Sequence, residues 1–343
     1  MSILIVGGGK MGLSHLAILS GLIGHERIAV CDPSRIARFI FKRFKIRTYA
    51  SLDAALAAPV AWRGAIVATP TGSHFAIAKA LLERAIPCFI EKPLTLNVAL
   101  SEQLAALMAS KDGTVQMGLV LRFVAPFVKL RDIVQSQSLG AVLDYKAHML
   151  GNVITKAGNN GWRSVFAKGG GCLNEYGPHL IDLCRYVFGD VGTLREASFG
   201  RTYSAEADDQ INIAWTHASG TEGKLALDWC DASKRKSALA FEVRFEKGVV
   251  RASNADITVE INDGAEIDPA VRGALLAPVR PYQVNYYLRG EEYTLQLEAF
   301  LEAALGGRYL LNESLRGKVA ATIADGLAVD QLIAAVAKKA GIV

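Results

Sequence analysis

The feature that most limits what this chain can fold into is its opening. An apolar run, Ile3–Val6, passes directly into Gly7-Gly8-Gly9-Lys10-Met11-Gly12, and a helical pattern follows. Gly7 permits a tight turn, Gly9 lets an anionic group approach the backbone, and Gly12 lets helix and strand lie close together. The helix start at Lys10 and Met11 then directs free N–H groups and the positive end of its dipole at that anion. Strand, turn and helix in this order predict a resting place for the pyrophosphate of a dinucleotide. Asp32 closes the next apolar run, Ile28–Cys31, where a carboxylate can accept hydrogen bonds from ribose hydroxyls. An ordinary helix cap is the competing reading of Asp32-Pro33-Ser34.

Asp32 repels a 2′-phosphate and so argues for NAD. The segment 35–47 follows with Arg35, Arg38, Lys42, Arg43, Lys45 and Arg47 and no acid. Arg35 is near enough in sequence to reach a 2′-phosphate, which leaves NADP open. This segment is expected to form an amphipathic helix, with Ile36, Phe39, Ile40 and Phe44 packed on the sheet beneath a solvated basic face; a nucleic-acid or membrane role is the minority reading, since only Lys234-Arg235-Lys236 is basic elsewhere.

Further strand-like runs at Ala65–Ala68, Cys88–Ile90 and Val115–Met117 alternate with helical patterns at Met11–Ile23 and Phe75–Arg84. Such alternation implies a parallel sheet covered on both faces. After residue 120 the rhythm changes. A helix over Ala125–Val134 leads to alternating runs at Ala141–Leu150, Glu196–Tyr203, Gln210–Thr216, Gly223–Trp229 and Ala240–Phe245, with Gly- or Asp-containing turns between them. The fold expected is α/β. A Rossmann domain over 1–120 precedes an α+β domain over 121–343 with a large, open, mostly antiparallel sheet. Terminal helices at Leu295–Ala304 and Leu315–Ala340 are expected to pack back toward the first domain.

Composition removes several function classes. Of 343 residues, 51% are apolar and 21% charged, too apolar for a disordered chain. A formal charge of +5 over such a length calls for neither nucleic acid nor membrane. The five cysteines form no CxxC pair and fit reduced thiols. No HExxH or Cys/His pairing suggests a metal, and no G-x-S-x-G suggests a hydrolase. No apolar run approaches the roughly 20 residues needed to cross a bilayer, and no targeting segment is visible, so a cytoplasmic location is expected.

Three more motifs carry a resemblance. Ala68-Thr69-Pro70-Thr71-Gly72-Ser73-His74 closes the fourth-strand region, Glu91-Lys92-Pro93 closes the fifth, and a stretch from Gly169-Gly170-Gly171 through Glu175-Tyr176-Gly177-Pro178-His179-Leu180-Ile181-Asp182 lies in the second domain. In this order behind the glycine fingerprint, the chain resembles the Gfo/Idh/MocA family of NAD(P)-dependent oxidoreductases of sugars, sugar nucleotides and cyclitols. The resemblance implies that Lys92 lies beside the nicotinamide and that His179 serves as acid/base. Glu175 stands where the family usually carries an aspartate, one methylene longer. Thr69, Pro70, His74 and Glu91 are implied on the cofactor side, and pairing of copies into a homodimer or homotetramer is implied as well.

The chemistry suits these residue types. Oxidising an alcohol requires a hydride acceptor, which the cofactor provides, and a group to take the hydroxyl proton. An imidazole, with its ordinary pKa of about 6.5, takes that proton near neutral pH. An ammonium at the same oxygen stabilises developing alkoxide charge. Pro178 fits a helix first turn, so a helix beginning around 174–177 is expected, carrying His179 and Asp182 on one face until Gly189. The segment Asn159-Asn160-Gly161-Trp162-Arg163 offers amides, an indole and a guanidinium for a polyhydroxylated ring. Trp162, Arg163, Arg122, Tyr176 and Asp182 are therefore the substrate candidates. An NAD-dependent dehydrogenase or ketoreductase of a sugar, sugar nucleotide or cyclitol is the function expected. A redox-neutral NAD-dependent glycosidase and a non-catalytic sugar-sensing regulator are the alternatives.

Overall fold

A computed structural model describes residues 2–110, 114–156 and 161–343. Two compact units divide the chain: residues up to Phe123 with Tyr282–Asp330, and Val124–Pro281 with Gln331–Val343. A single cut at residue 120 therefore does not describe them, because a long segment late in the chain packs with the first unit.

The first unit holds a six-stranded parallel sheet: β1 (Ser2–Val6), β2 (Ile28–Cys31), β3 (Arg47–Tyr49), β4 (Trp62–Val67), β5 (Cys88–Ile90) and β6 (Val115–Met117), in the order β3-β2-β1-β4-β5-β6. Alternate strand residues feed two cores. Leu4, Val6, Ala65 and Val67 pack with helices α4 (His74–Leu82) and α5 (Val98–Ala109). Ile3, Ile5, Ile28 and Ile66 pack on the other side with α1 (Lys10–Ile23) and α9 (Glu291–Leu305). Gly64 lets this second core close: a Cβ there would lie 3.1 Å from Phe300. Between β2 and β4 run α2 (Arg35–Arg43) and the short α3 (Leu52–Leu56).

Helix α2 does not pack as the sequence suggests. Ala37 is half-buried and Phe41 and Ile46 are buried, whereas Ile36, Phe39, Ile40 and Phe44 are exposed. Local contacts set this rotation. Ser34 Oγ accepts from Ala37 N (3.2 Å), and Arg38 Nη1 donates to the carbonyls of Asp32 and Pro33, each at 2.7 Å. The Phe41 ring fills the space beside Gly8, where a Cβ would come within 2.6 Å of it.

The second unit contains α6 (Ala125–Ser136), α7 (Cys172–Phe188), α8 (Pro269–Leu276) and a seven-stranded sheet. Its strands are β7 (Val142–Leu150), β8 (Val191–Gly200), β9 (Gln210–His217), β10 (Glu222–Asp228), β11 (Ala238–Phe245), β12 (Gly248–Ser253) and β13 (Ile257–Ile261). Their order is β13-β12-β11-β7-β10-β9-β8, antiparallel except for β7 with β10. Tyr145 and Ala147 of β7 are buried beneath α7, and the Tyr145 ring stacks on Phe188 with centroids 4.0 Å apart.

Two boundaries moved for identifiable reasons. The strand expected at 196–203 is β8, ending at Gly200; Asp209 draws the next residues out of the sheet by accepting from Thr202 N, Tyr203 N and Ser204 N. The last helix, α10 (Ile323–Ala340), begins later than Leu315. Thr322 N donates to Asp325 Oδ2 (2.8 Å) and Asp325 N to Thr322 Oγ1 (3.4 Å), a reciprocal cap that fixes the start. No described helix is long and apolar enough to cross a membrane.

Candidate active site

In the first unit the candidate site is built on the glycine turn. Gly7 has φ +101°, and a Cβ there would lie 2.6 Å from the Ala68 carbonyl oxygen. A Cβ on Gly12 would sit 1.9 Å from the Gly7 oxygen, so no larger residue fits either place. Gly9 differs: its Cβ would meet nothing within 4 Å, so the backbone there faces open space. No side chain caps α1 and no acid lies in its first turn, which leaves its N–H groups for an anion. Lys10 is exposed and Met11 half-buried at that first turn.

Beside this turn lies a cavity of about 500 Å³ lined by Gly7, Gly9, Asp32, Thr69, Pro70 and Ser73. Asp32 is held ready by two backbone groups, Gly8 N to Oδ2 (2.7 Å) and Ser34 N to Oδ1 (2.8 Å). Each carboxylate oxygen keeps a further lone pair for a hydroxyl. Ser51, Leu52 and Ile77 also line it, three residues that no sequence signal marked. Open backbone at Gly9, uncapped helix amides and an oriented carboxylate together fit a dinucleotide. Arg35 is exposed, and the described contacts give it no part in this wall.

His74 does not line this cavity. It is buried, with Nδ1 3.0 Å from the Pro93 oxygen and 3.3 Å from that of Leu94, and Nε2 2.9 Å from the Thr69 oxygen. Burial pulls its pKa down against the opposing pull of these carbonyls. Its work is to tie the turn after β4 to the segment after β5, which carries Glu91 and Lys92. Glu91 accepts from His15 Nε2 on α1 at 2.7 Å. Burial raises the Glu91 carboxyl, but the bond and charge of His15, with Lys92 and His74, outweigh it and hold the pKa below the usual value. The sequence does not signal this pair, because its members lie far apart in the chain and form no motif.

Residues late in the chain also reach α1. Arg289 Nη1 lies 3.3 Å from Ser14 Oγ and 3.7 Å from Met11 Sδ, and its guanidinium sits over the Tyr293 ring. Arg122, a substrate candidate, is buried, and its Nη2 pairs with Asp325 Oδ1 at 2.9 Å. Burial opposes ionisation of Asp325, yet Arg122 and Thr322 hold its pKa down. Arg122 thus secures the start of α10.

In the second unit the candidate residues lie on α7. The helix begins at Cys172, and Pro178 lies inside it, not in its first turn. The cause is a cap from elsewhere: Cys172 N donates to the Asp208 carbonyl (2.9 Å) and Leu173 N to Asp208 Oδ2 (2.7 Å). Burial pushes the Asp208 carboxyl up to about 6. Of the 17 residues of α7, 14 are buried; only Glu175, His179 and Arg185 are not. Glu175 and His179 are one turn apart and share a face. Asp182 is buried one turn further on.

Tyr176 is also buried, and its hydroxyl lies 2.7 Å from Ser237 Oγ across Gly151, where a Cβ would fall 2.0 Å from the Tyr176 hydroxyl. Trp162 is exposed, and Arg163 stacks over it at 4.9 Å. A Cβ on Gly170 would meet the Arg163 oxygen at 2.3 Å, so the glycine run is shaped to carry this segment. Asn159 and Asn160 lie outside the described residues.

Two family models match this chain. Residues 1–119 match the Gfo/Idh/MocA oxidoreductase family with its NAD-binding Rossmann fold, and residues 127–251 match the family's C-terminal domain. The chain belongs to the Gfo/Idh/MocA family. It is 26% identical to the rhizopine catabolism protein MocA of Rhizobium meliloti over 65% of this chain and 69% of that one. It is 24% identical to inositol 2-dehydrogenase of Mycolicibacterium gilvum over 90% and 84%. The match to glucose-6-phosphate 3-dehydrogenase of Bacillus subtilis, at 25% identity, spans 54% of this chain and 53% of that enzyme. Among solved structures, GenD2 with NAD superposes with TM-score 0.76 at 24% identity over 99% of this chain and 94% of that one. Levoglucosan dehydrogenase with NADH and L-sorbose gives 0.78 at 19% over 99% and 96%. At such identities the likeness is one of fold, and it extends over both units. The family is one of oxidoreductases, and its Rossmann domain binds NAD.

Proposed function

We propose that this oxidoreductase transfers a hydride between NAD and a ring carbon, bearing a hydroxyl or keto group, of a sugar, sugar nucleotide or cyclitol. The observation that carries the reading is on α7: in a helix with 14 of 17 residues buried, Glu175 and His179 remain partly accessible, one turn apart. A carboxylate beside an imidazole on one face is the equipment for proton transfer. Relatives named for inositol and for glucose-6-phosphate support the substrate class.

When bound, NAD supplies the carbon that accepts the hydride. Asp32 fixes the adenosine ribose and the turn at Gly9 receives the pyrophosphate. Lys92 stands at the C-terminal end of β5, the end at which open parallel sheets bind ligands. Its ammonium polarises the substrate oxygen, and His179 takes the hydroxyl proton. Glu175 orients the imidazole, and Trp162 with Arg163 contacts ring hydroxyls.

An absorbance screen at the nicotinamide band tests this with inositols, sugars and sugar nucleotides, each with NAD and NADP. Reduced nicotinamide should appear with members of one substrate class and NAD. Lys92→Ala and His179→Ala should each lower turnover by about a hundredfold or more while NAD affinity holds. Near-normal turnover in either variant would discard the mechanism. Glycosidic cleavage with no net NADH would replace it with redox-neutral hydrolysis.

A further inference from the structure

Helix α2 presents a surface that the proposed reaction does not use. Ile36, Ile40 and Phe44 recur every four residues and form one stripe, 75%, 47% and 71% exposed, with Phe39 beside it at 64%. Four large apolar side chains side by side on one short helix and its C-cap are not ordinary surface. The charges around them have one sign. Arg35, Lys42, Arg43, Lys45 and Arg47 are exposed, and from Pro33 through Leu52 the sequence holds no Asp or Glu. The Arg43 guanidinium lies over the Phe39 ring, 6.0 Å from its centroid, so charge and apolar surface are interleaved. The helix leads into β3, the terminal strand of its sheet.

We infer that this face docks on an anionic lipid surface, with Ile36, Phe39, Ile40 and Phe44 entering the headgroup boundary and Lys42, Arg43, Lys45 and Arg47 meeting lipid phosphates. The occupant follows from charge. A second copy placed face to face would set one row of cations against the same row, with no acid on either side to offset it. The occupant must offer apolar ground and negative charge together. A bilayer rich in anionic lipid does so on a plane, which suits a convex helix carrying phenyl tips. A protein partner is favoured less, because protein interfaces fix register with charges of both signs and this face has only one. A helix this short binds weakly and reversibly, and salt weakens it further.

Co-sedimentation of the whole chain with vesicles tests the inference, using phosphatidylcholine alone and phosphatidylcholine mixed with phosphatidylglycerol. The chain should pellet with the mixed vesicles at low salt and much less with neutral ones. Phe39→Ser/Phe44→Ser should weaken the association about tenfold or more, and Lys42→Gln/Lys45→Gln should weaken it and flatten its salt dependence. All four side chains face solvent, so melting temperature and NAD affinity should match the parent chain and separate lost docking from misfolding. No sedimentation with anionic vesicles, or equal sedimentation of parent and variants, overturns the inference. A dimer in analytical ultracentrifugation that Phe39→Ser/Phe44→Ser dissociates overturns it in favour of a second copy. Tight binding of an acidic amphipathic peptide without vesicle binding overturns it in favour of a protein partner.

Discussion

Asp208 offers a sharp test of how the proposed acid/base helix is held. It is fully buried, accepts from Leu173 N at the start of α7, and has its carboxyl raised from 3.8 to about 6 by burial. Below about pH 4 the folded and unfolded chains both hold this proton. Between about pH 4 and 6 only the folded chain does, and above that the folded chain carries a buried charge. Stability from this group is therefore fully present at low pH and is lost as pH rises through about 6. At about 1.4 kcal/mol per pKa unit the loss is ~3 kcal/mol. Asp208→Asn keeps an oxygen for Leu173 N and removes the titration. Relative to the parent, the Asn variant should gain ~3 kcal/mol between about pH 4 and pH 7. Urea unfolding followed by the fluorescence of Trp215 and Trp229, both buried in the same unit, measures this. Parallel pH profiles for the two proteins would refute the reasoning.

Other outcomes follow from the same structure. Gly12→Ala should unfold the glycine turn, because its Cβ would fall 1.9 Å from the Gly7 oxygen; a lowered melting temperature together with lost NAD uptake is expected. His15→Ala strips the partly buried Glu91 of its 2.7 Å partner and should cost about 1–2 kcal/mol in denaturant unfolding. Asp32→Ala should weaken NAD binding and narrow the preference over NADP, read from paired titrations. Asp208→Ala, which leaves Leu173 N without an acceptor, should be about 1–3 kcal/mol less stable than the Asn variant at every pH.

Much of the fold was legible because its signals are local. Runs such as Ile28–Cys31 and Cys88–Ile90 are strands in the structure with the bounds the sequence suggests. Gly7, Gly9, Gly12 and Asp32 could be read together because one turn and two adjacent strands gather them. What escaped depended on distant contacts. In α2 the apolar pattern points to Ile36, Phe39, Ile40 and Phe44 as the inner face, and the burial of Phe41 instead depends on Gly8 and on the bonds of Arg38. The start of α7 is not legible in the local sequence, because its cap comes from Asp208 whereas Pro178 alone points to a later start. The His15–Glu91 pair likewise exists only once α1 lies against the end of β5.

Calorimetric titration of NAD into the parent chain and into Gly9→Ala probes the central claim most directly. A Cβ at Gly9 meets no protein atom within 4 Å, so the substitution leaves the fold intact and intrudes only where the pyrophosphate is placed. The account predicts saturable uptake by the parent and affinity about tenfold to a hundredfold lower in the variant, at an unchanged melting temperature. Equal affinity in the two proteins, or no uptake by the parent, would contradict it.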